Sequence, residues 1–331
     1  MKVLITGVAG LLGSRLADWI TDNNIAEVHG IDDLSGGYIE NVNPKVKFYK
    51  INLASEINEV EELFKTNNYD YIFHFAAYAA EGLSPFIRQY NYENNLIATT
   101  KLINKSIKYN IKRFIFTSTM AVYGAATPPF REDYIPNPID PYAIAKYACE
   151  MDLQVAGEQH SLDWCIIRPH NVYGLKQNIW DKYRNVLGIW MYNVLNDIPI
   201  TIYGDGNQQR AFSYIDDCLP YFWQTAINPI CSKQIYNMGG DDHITINQAA
   251  ETLIEIIGKY PIVYLEERHE VKDAWVSHDK IKKHLNFNSS TSLKNGLVPM
   301  WEWAQKQPKR LRKEWDSYEL EKGIYNFWKT K

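Results

Sequence analysis

Tyr142 and Lys146 stand four positions apart in Tyr142-Ala143-Ile144-Ala145-Lys146. On a helix that spacing puts a phenol and an ammonium on one face, a turn apart. A phenol beside a fixed cation gives up its proton more readily, so the pair reads as a general base working near neutral pH. Upstream, Thr119-Met120-Ala121-Val122-Tyr123-Gly124 follows a strand-like run and offers the Thr119 hydroxyl to hold a substrate oxygen. A Tyr-x-x-x-Lys pair by itself also fits a solvated helix surface, so its meaning depends on what surrounds it.

The N-terminus supplies that setting. An apolar run, Lys2 to Thr6, meets Gly7-Val8-Ala9-Gly10-Leu11-Leu12-Gly13, and an amphipathic stretch follows from Ser14 to Ile20. Strand, glycine turn and helix are the parts of a dinucleotide site. Gly7 permits a sharp turn, Gly10 removes a side chain where backbone must approach a pyrophosphate, and Gly13 lets helix and strand pack closely. The first helical amides, at Leu11 and Leu12, then face the phosphates with the positive end of the helix dipole. A second predicted strand, Glu27 to Ile31, ends at Asp32, about twenty residues past the glycines. A carboxylate there accepts hydrogen bonds from the adenosine ribose and repels a 2′-phosphate. No Arg follows directly, so NAD is expected rather than NADP.

The elements that must position these groups alternate. Strand-like runs at Tyr71–Phe75, Arg113–Thr117 and Asp163–Ile167 are interleaved with helical stretches at Glu56–Asn67, Asn95–Tyr109 and Tyr142–Gln159. Such alternation predicts an α/β fold with a doubly wound parallel sheet of Rossmann type. After Gly174 the pattern breaks, and residues 175–210 are rich in aromatics and Asn. One more helix and strand are expected within 212–238. The reading is an NAD-binding domain, 1–174 plus about 212–238, and a smaller C-terminal α/β substrate domain, about 175–211 plus 239–331. The ligand crevice should lie between them, at the carboxyl ends of the strands.

With 46% hydrophobic and 22% charged residues, the 331-residue chain has the composition of a soluble globular protein with a large core. A net charge of −4 gives no sign of nucleic-acid binding. The four cysteines lack metal-type spacing, and Cys149 and Cys165, in apolar contexts, are expected to be buried and reduced. The histidines form no ligand cluster, so no metal is expected; His74 should pack near the cofactor. The chain starts on a cofactor strand rather than a signal peptide and has no apolar run of membrane-spanning length, so a cytoplasmic protein is expected. Trp301, Trp303, Trp315 and Trp328 are interleaved with Lys309-Arg310-Leu311-Arg312-Lys313. Nearby Glu314, Asp316, Glu319 and Glu321 nearly cancel that charge, so the tryptophans are expected to pin a tail onto the domain.

Gly-x-x-Gly-x-x-Gly at the start with Tyr-x-x-x-Lys mid-chain resembles the short-chain dehydrogenase/reductase superfamily. Phe73-His74-Phe75-Ala76-Ala77, Asn94-Asn95-Leu96, Arg168-Pro169-His170-Asn171-Val172-Tyr173-Gly174, Tyr203-Gly204-Asp205-Gly206, Arg210 to Asp217 and Arg268-His269-Glu270 resemble its extended branch, the nucleotide-sugar epimerases and dehydratases. The resemblance implies NAD as cofactor and a nucleotide-diphosphate sugar, UDP-hexose favoured, as substrate. It makes Tyr142 the base, Lys146 the group that steadies the phenolate and holds the nicotinamide ribose, and Thr119 the partner of the reacting oxygen. It adds Asn52, Leu53, Phe75, Ala76, Ala77, Asn95, Thr117, Pro169 and His170 around the cofactor. On the substrate side it adds Ala79, Glu81, Asn171, Asn185, Arg210 and Arg268. A homodimer through the helices at Asn95–Tyr109 and Tyr142–Gln159 is likewise implied.

Within this branch, 4,6-dehydratases resemble one another in an Asp-Glu pair after the active-site Thr; here Met120 and Ala121 stand there, and neither moves a proton. Nor does a Cys lie between Thr117 and Tyr123 to serve as the acid/base of a 3,5-epimerase. The resemblance then implies epimerisation at C4 through a 4-keto sugar, of the UDP-glucose/UDP-galactose type. Many hexose 4-epimerases carry a Lys after the Ala-Gly-Leu that follows the fourth strand; the matching segment here is Ala77-Tyr78-Ala79, so Ala79-Ala80-Glu81-Gly82 should line the sugar pocket differently. A dehydratase or net oxidoreductase on a similar substrate, and a non-catalytic NAD-binding sensor or scaffold, remain the alternatives.

Overall fold

The computed structural model describes residues 1–329. Seven strands, numbered in chain order, build the main sheet: β1 (Lys2–Thr6), β2 (Glu27–Asp32), β3 (Lys47–Lys50), β4 (Tyr71–His74), β5 (Arg113–Thr117), β6 (Trp164–Pro169) and β7 (Gln234–Met238). All neighbours pair in parallel, in the order β7-β6-β5-β4-β1-β2-β3. The chain lays β1, β2 and β3 in one direction, then crosses back to place β4 on the other side of β1. A crevice opens at such a reversal, above the carboxyl ends of the strands.

The strands are apolar on both faces because both faces are covered. Val3, Ile5, Phe73 and Ile115 point into a cluster with α1 (Leu11–Asp22) and residues of a later helix, Ile215 to Phe222 among them. Leu4, Ile72, Phe114 and Phe116 point the other way, where α2 (Ile57–Thr66), α4 (Ala98–Lys108) and α5 (Pro141–Gln159) close the second core. A short α3 (Arg88–Tyr92) runs into α4 through a π-helical turn, Glu93–Ile97. The sequence suggests one helix over 95–109; the observed helical run begins earlier, and the extra residue of the π turn lets Asn95 reach sideways to the loop after β4. β3 is absent from the sequence reading, because Lys47–Lys50 is a short, half-exposed edge strand with charged ends.

The second lobe carries α6 (Val186–Leu195), while α7 (Ile215–Ile227) and β7 return to the main sheet. Then α8 (Ile246–Ile257), α9 (Asp279–Leu285) and α10 (Leu293–Gln305) follow, with α9 joining the first core through Ile281 and Leu285. Tyr173, Trp190, Met191, Ile200, Leu253 and Leu297 are at the heart of its own cluster. Its strands are short: Ile200–Tyr203 pairs with Ile262–Leu265, and Gln209–Ala211 lies between His243–Thr245 and Asp273–Ala274. Trp301 and Trp303 belong to α10 rather than to the tail. Beyond it, Trp315 lies against Tyr78 and Tyr90, and Trp328 is buried against Phe86 and Tyr183. Among the described residues no helix is long and apolar enough to cross a membrane. All four cysteines are buried free thiols.

Candidate active site

A cleft of about 730 Å³ runs along the carboxyl ends of the strands and between the two lobes. At one end lies the glycine turn. Gly7 has φ +73°, and a Cβ there would sit 2.8 Å from the Ala76 nitrogen; one on Gly13 would sit 2.2 Å from the Gly7 carbonyl oxygen. These two glycines permit backbone to touch backbone. Gly10 differs: an added Cβ would meet the Gly7 oxygen alone, at 3.3 Å, and the residue lines the cleft. No side chain caps α1, so the amides of its first turn, at Leu11 and Leu12 beside the cleft, remain available to an anion.

Asp32 closes this end. Its two oxygens accept from the Ala9 amide (3.0 Å) and the Leu34 amide (2.8 Å). Burial pushes its pKa up, against the pull of those two amides. Asp33, not an Arg, follows, and its side chain holds the Asn52 amide at 3.0 Å. Asn52, Leu53, Phe75, Ala76 and Ala77 line the adjoining wall. Further along, the Thr117 and Ser118 hydroxyls are buried beside the cleft without a hydrogen-bond partner. An uncapped helix start, a fixed carboxylate for ribose hydroxyls and two orphaned hydroxyls together suit NAD.

The candidate reacting groups, Thr119, Tyr142 and Lys146, line the same cleft. Asp140 caps α5 by accepting from the Ala143 amide at 2.9 Å, and Pro141 takes the first helical position. The buried Arg168–Glu150 pair ties α5 to β6, with Nε to Oε1 at 2.9 Å. These contacts fix Tyr142 and Lys146 on the face toward the cleft, opposite Thr119, whose hydroxyl accepts from the Ala121 amide. Lys146 Nζ donates to the Thr117 carbonyl at 2.8 Å and lies 4.7 Å from the Phe116 ring centre. Burial brings its pKa down to about 8. The Tyr142 phenol is pushed up, by burial first and then by the Glu81 and Asp140 carboxylates; Arg184 and the Thr119 side chain pull the other way. Sequence spacing alone suggests a phenol acidified by Lys146. The structure turns that ammonium toward a carbonyl and sets Glu81, from another segment, and Asp140, the cap of the same helix, near the phenol, so that the phenolate is disfavoured.

Glu81 and Asp140 are linked through Ser84, whose hydroxyl lies 3.4 Å from Asp140 Oδ1 and donates to the Glu81 carbonyl at 2.8 Å. The Glu81 side chain opens to the cleft, yet the walls crowd it, and with Asp140 nearby its pKa rises to about 7. At the far end Arg210 and Arg268 line the cleft together, bridged by Glu270 at 3.5 and 3.2 Å. Arg210 also donates to the carbonyls of Gln209, Val271 and Lys272, and Arg268 lies over the Tyr203 ring. Asn171 and Asn185 reach the cleft wall with their amide nitrogens already given to the carbonyls of Ala211 and Val172. Ala79 and Pro169 line it as well.

A model of the NAD dependent epimerase/dehydratase family matches residues 3–239. The chain belongs to that family. It is 29% identical over 316 residues to the UDP-glucuronate 4-epimerase of Thermodesulfobacterium geofontis, covering 91% of this chain and 95% of the relative. The crystal structure of UDP-glucose 4-epimerase from Thermotoga maritima with UDP-glucose superposes with a TM-score of 0.87 at 32% identity, over 92% of this chain and 99% of that one. UDP-glucuronic acid 4-epimerase from Bacillus cereus, in complex with UDP-glucuronic acid and NAD, gives 0.84 at 26% identity over the same shares.

Two residues expected at the cofactor of this epimerase/dehydratase family member do not line the cleft. Asn95 is fully buried, and its side chain clamps the loop after β4 by accepting from the Tyr78 amide (2.9 Å) and donating to the Tyr78 carbonyl (3.2 Å). It shapes the wall from behind. His170 is buried between the Ala211 carbonyl, the Ser213 hydroxyl and His278, and burial holds its pKa at about 3. His74 likewise lies in the sheet core, between Thr6 and Thr99. Conversely, Arg184, Asp140 and Ser118 line the cleft and are missing from the sequence reading. Arg184 stands in the aromatic, Asn-rich stretch where no motif marks it; only its spacing from Asp181, with which it pairs at 3.0 Å, is a local signal.

Proposed function

We propose that this chain inverts C4 of a UDP-hexose with NAD as a resident cofactor. The observation that carries the reading is the meeting of Thr119, Tyr142 and Lys146 in one cleft with the glycine turn and Asp32, while Met120 and Ala121 leave the Thr119 segment without an acid. Tyr142 takes the proton of the sugar O4 hydroxyl as the C4 hydride departs, giving a 4-keto sugar. Thr119 hydrogen-bonds that oxygen throughout, and Lys146 steadies the phenolate and orients the nicotinamide ribose. The sugar turns, Tyr142 returns the proton, and C4 regains hydride on its other face, so nothing is oxidised overall. Held by the glycine turn and Asp32, NAD would supply the hydride acceptor and a positive charge that favours ionisation of the Tyr142 phenol. Positioning does much of the remaining work.

Arg210 and Arg268 suit the UDP pyrophosphate. The carboxylates of Glu81 and Asp140 beside Tyr142 favour a neutral hexose, because a C6 carboxylate would meet like charge. Glu81 also favours one second reading: a carboxyl group with a pKa of about 7 in the cleft is a group able to move a proton in a dehydration. NMR of UDP-glucose incubated with the enzyme in D2O separates the two. Epimerisation gives UDP-galactose with no solvent deuterium, whereas dehydration gives a 4-keto-6-deoxy sugar carrying it. Absence of C4 inversion with UDP-glucose, UDP-N-acetylglucosamine and UDP-glucuronate alike would refute the proposal. Tyr142→Phe should lower kcat by at least about 10²-fold and leave NAD bound.

The domain division is read as above, with the lobes meeting at the cleft. A homodimer is supported by Ile144, Met151 and Val155, which are exposed along one face of α5. Light scattering should give twice the chain mass, and Met151→Glu should halve it. Four free, buried thiols suit the reducing cytoplasm.

A further inference from the structure

Arg184 has a place in this site that the motifs do not assign. Its Nε pairs with the fully buried Asp181 at 3.0 Å, and that nitrogen is left without an aligned hydrogen bond. Among the described residues no protein acceptor takes a hydrogen bond from Nη1 or Nη2. One face of the guanidinium lies over the Tyr78 ring, 4.9 Å from its centre, in the loop after β4. Its open end lies against Gly36, where a Cβ would sit 2.5 Å from Nη2. The next residue, Gly37, is pressed onto the glycine turn, so that a Cβ there would be 2.4 Å from the Ala9 carbonyl and 2.8 Å from the Gly10 nitrogen. The donor fork is therefore held beside the turn that must face phosphate, from the lobe opposite the sheet.

Charge accounts for the rest. Asp32 marks the adenosine-ribose end of the cofactor and Tyr142 the nicotinamide end, and the group between them in the dinucleotide is the pyrophosphate. The Arg184 charge is felt at both ends, as a lesser influence beside burial, lowering Asp32 and Tyr142 alike. Neither the glycine turn, Gly7 to Gly13, nor the loop from Ala76 to Gly82 contains a Lys or Arg. Of the other cations lining the cleft, Lys146 is given to the Thr117 carbonyl, Arg210 and Arg268 share Glu270, and Lys322 lies on the C-terminal tail. The start of α1 offers only partial charge to a dianion.

We propose that Arg184 binds the cofactor pyrophosphate through its free Nη fork, so that the substrate lobe closes over NAD and retains it between turnovers. This rests on the NAD site described above and names the residue that secures it. A forked guanidinium–phosphate contact is charge-assisted and strong.

The test is calorimetry of stripped protein with NAD and, separately, with UDP. Arg184→Gln should weaken NAD binding by about ten- to a hundredfold, lose the NAD that co-purifies, and leave UDP affinity within about twofold. Because that change strands the buried Asp181 carboxylate, the pair Asp181→Asn/Arg184→Gln serves as the second variant and should show the same loss, while Asp181→Asn alone keeps NAD. Unchanged NAD affinity in the folded double variant overturns the proposal, as does a fall in UDP affinity in place of NAD affinity. Wild-type protein that binds no NAD would instead refute the cofactor site itself.

Discussion

Glu81 is the residue whose surroundings matter most to the chemistry, since its carboxylate stands first among the charges that raise the Tyr142 phenol. Its side chain is open to the cleft, yet the crowding walls and then Asp140 raise its pKa to about 7, so folding favours the protonated form. The sign follows: the stability this group contributes is complete below the ordinary carboxylate range and is lost as pH climbs through about 7. In cofactor-free protein the wild type should therefore lose melting temperature relative to Glu81→Gln between pH 5.5 and pH 8, whatever the buried histidines His74 and His170 add to both. Thermal melts of both proteins across this range decide it, and parallel curves would remove Glu81 from the account. The Tyr142→Phe and Arg184→Gln experiments belong to the same scale. At this scale sequence spacing singles out Thr119, Tyr142 and Lys146, which the fold brings to one cleft, but not their protonation. The Glu81 charge and the Thr117 carbonyl come from segments distant in the chain, which no local pattern encodes; Asp140 lies two residues before Tyr142, and its place as the cap of the helix is local while its effect on the phenol is not.

The glycine turn shows what an element can and cannot reveal beforehand. Spacing alone separates Gly7, Gly10 and Gly13 into a turn, an approach and a packing contact; the added-Cβ distances crowd Gly7 and Gly13 against backbone and leave Gly10 the most open of the three. Gly13→Ala would drive a methyl into the Gly7 carbonyl and within 2.9 Å of Val8 Cα. Backbone atoms cannot rotate away, so a loss of about 1–3 kcal/mol is expected. Gly10→Ala should cost under about 1 kcal/mol yet weaken NAD at least as much in proportion, because its methyl enters the phosphate approach. Urea unfolding of each variant, set beside its NAD affinity, tests the contrast; equal destabilisation by both would contradict it. Long, apolar, both-faces-buried strands such as β1 and β5 were legible for the physical reason that they read as continuous runs. β3 and the two- to four-residue strands of the second lobe were not, because so few residues carry no period. The π turn at Glu93–Ile97 was hidden for another reason: no local pattern marks it, and Asn95 within it makes a tertiary contact by clamping the Tyr78 backbone.

Across the whole molecule, the C-terminal tail joins both lobes. Lys313 donates to Ser35 on the cofactor side while its amide bonds the Trp180 carbonyl, and Glu319 accepts from the Gln89 and Tyr90 amides at the start of α3. The Tyr325 hydroxyl accepts from the His269 amide at 2.8 Å, beside Arg268. Alternating tryptophans and charges announced a pinned tail, but only the fold reveals that its anchor, Trp328, rests on Tyr183, the neighbour of Arg184, with ring centres 5.1 Å apart. Trp328 is 1% exposed, so Trp328→Ala should cost about 3–5 kcal/mol and lower Tm by roughly 2–4 °C for each of them. If the tail also braces the lobe that carries Arg184, the same variant should weaken NAD binding, though by less than Arg184→Gln, since the fork is loosened rather than removed. Calorimetric unfolding and NAD titration of one preparation read both effects. A Tm within a degree of wild type would show that the tail is not a structural brace, and a full Tm loss with undiminished NAD affinity would confine its work to stability.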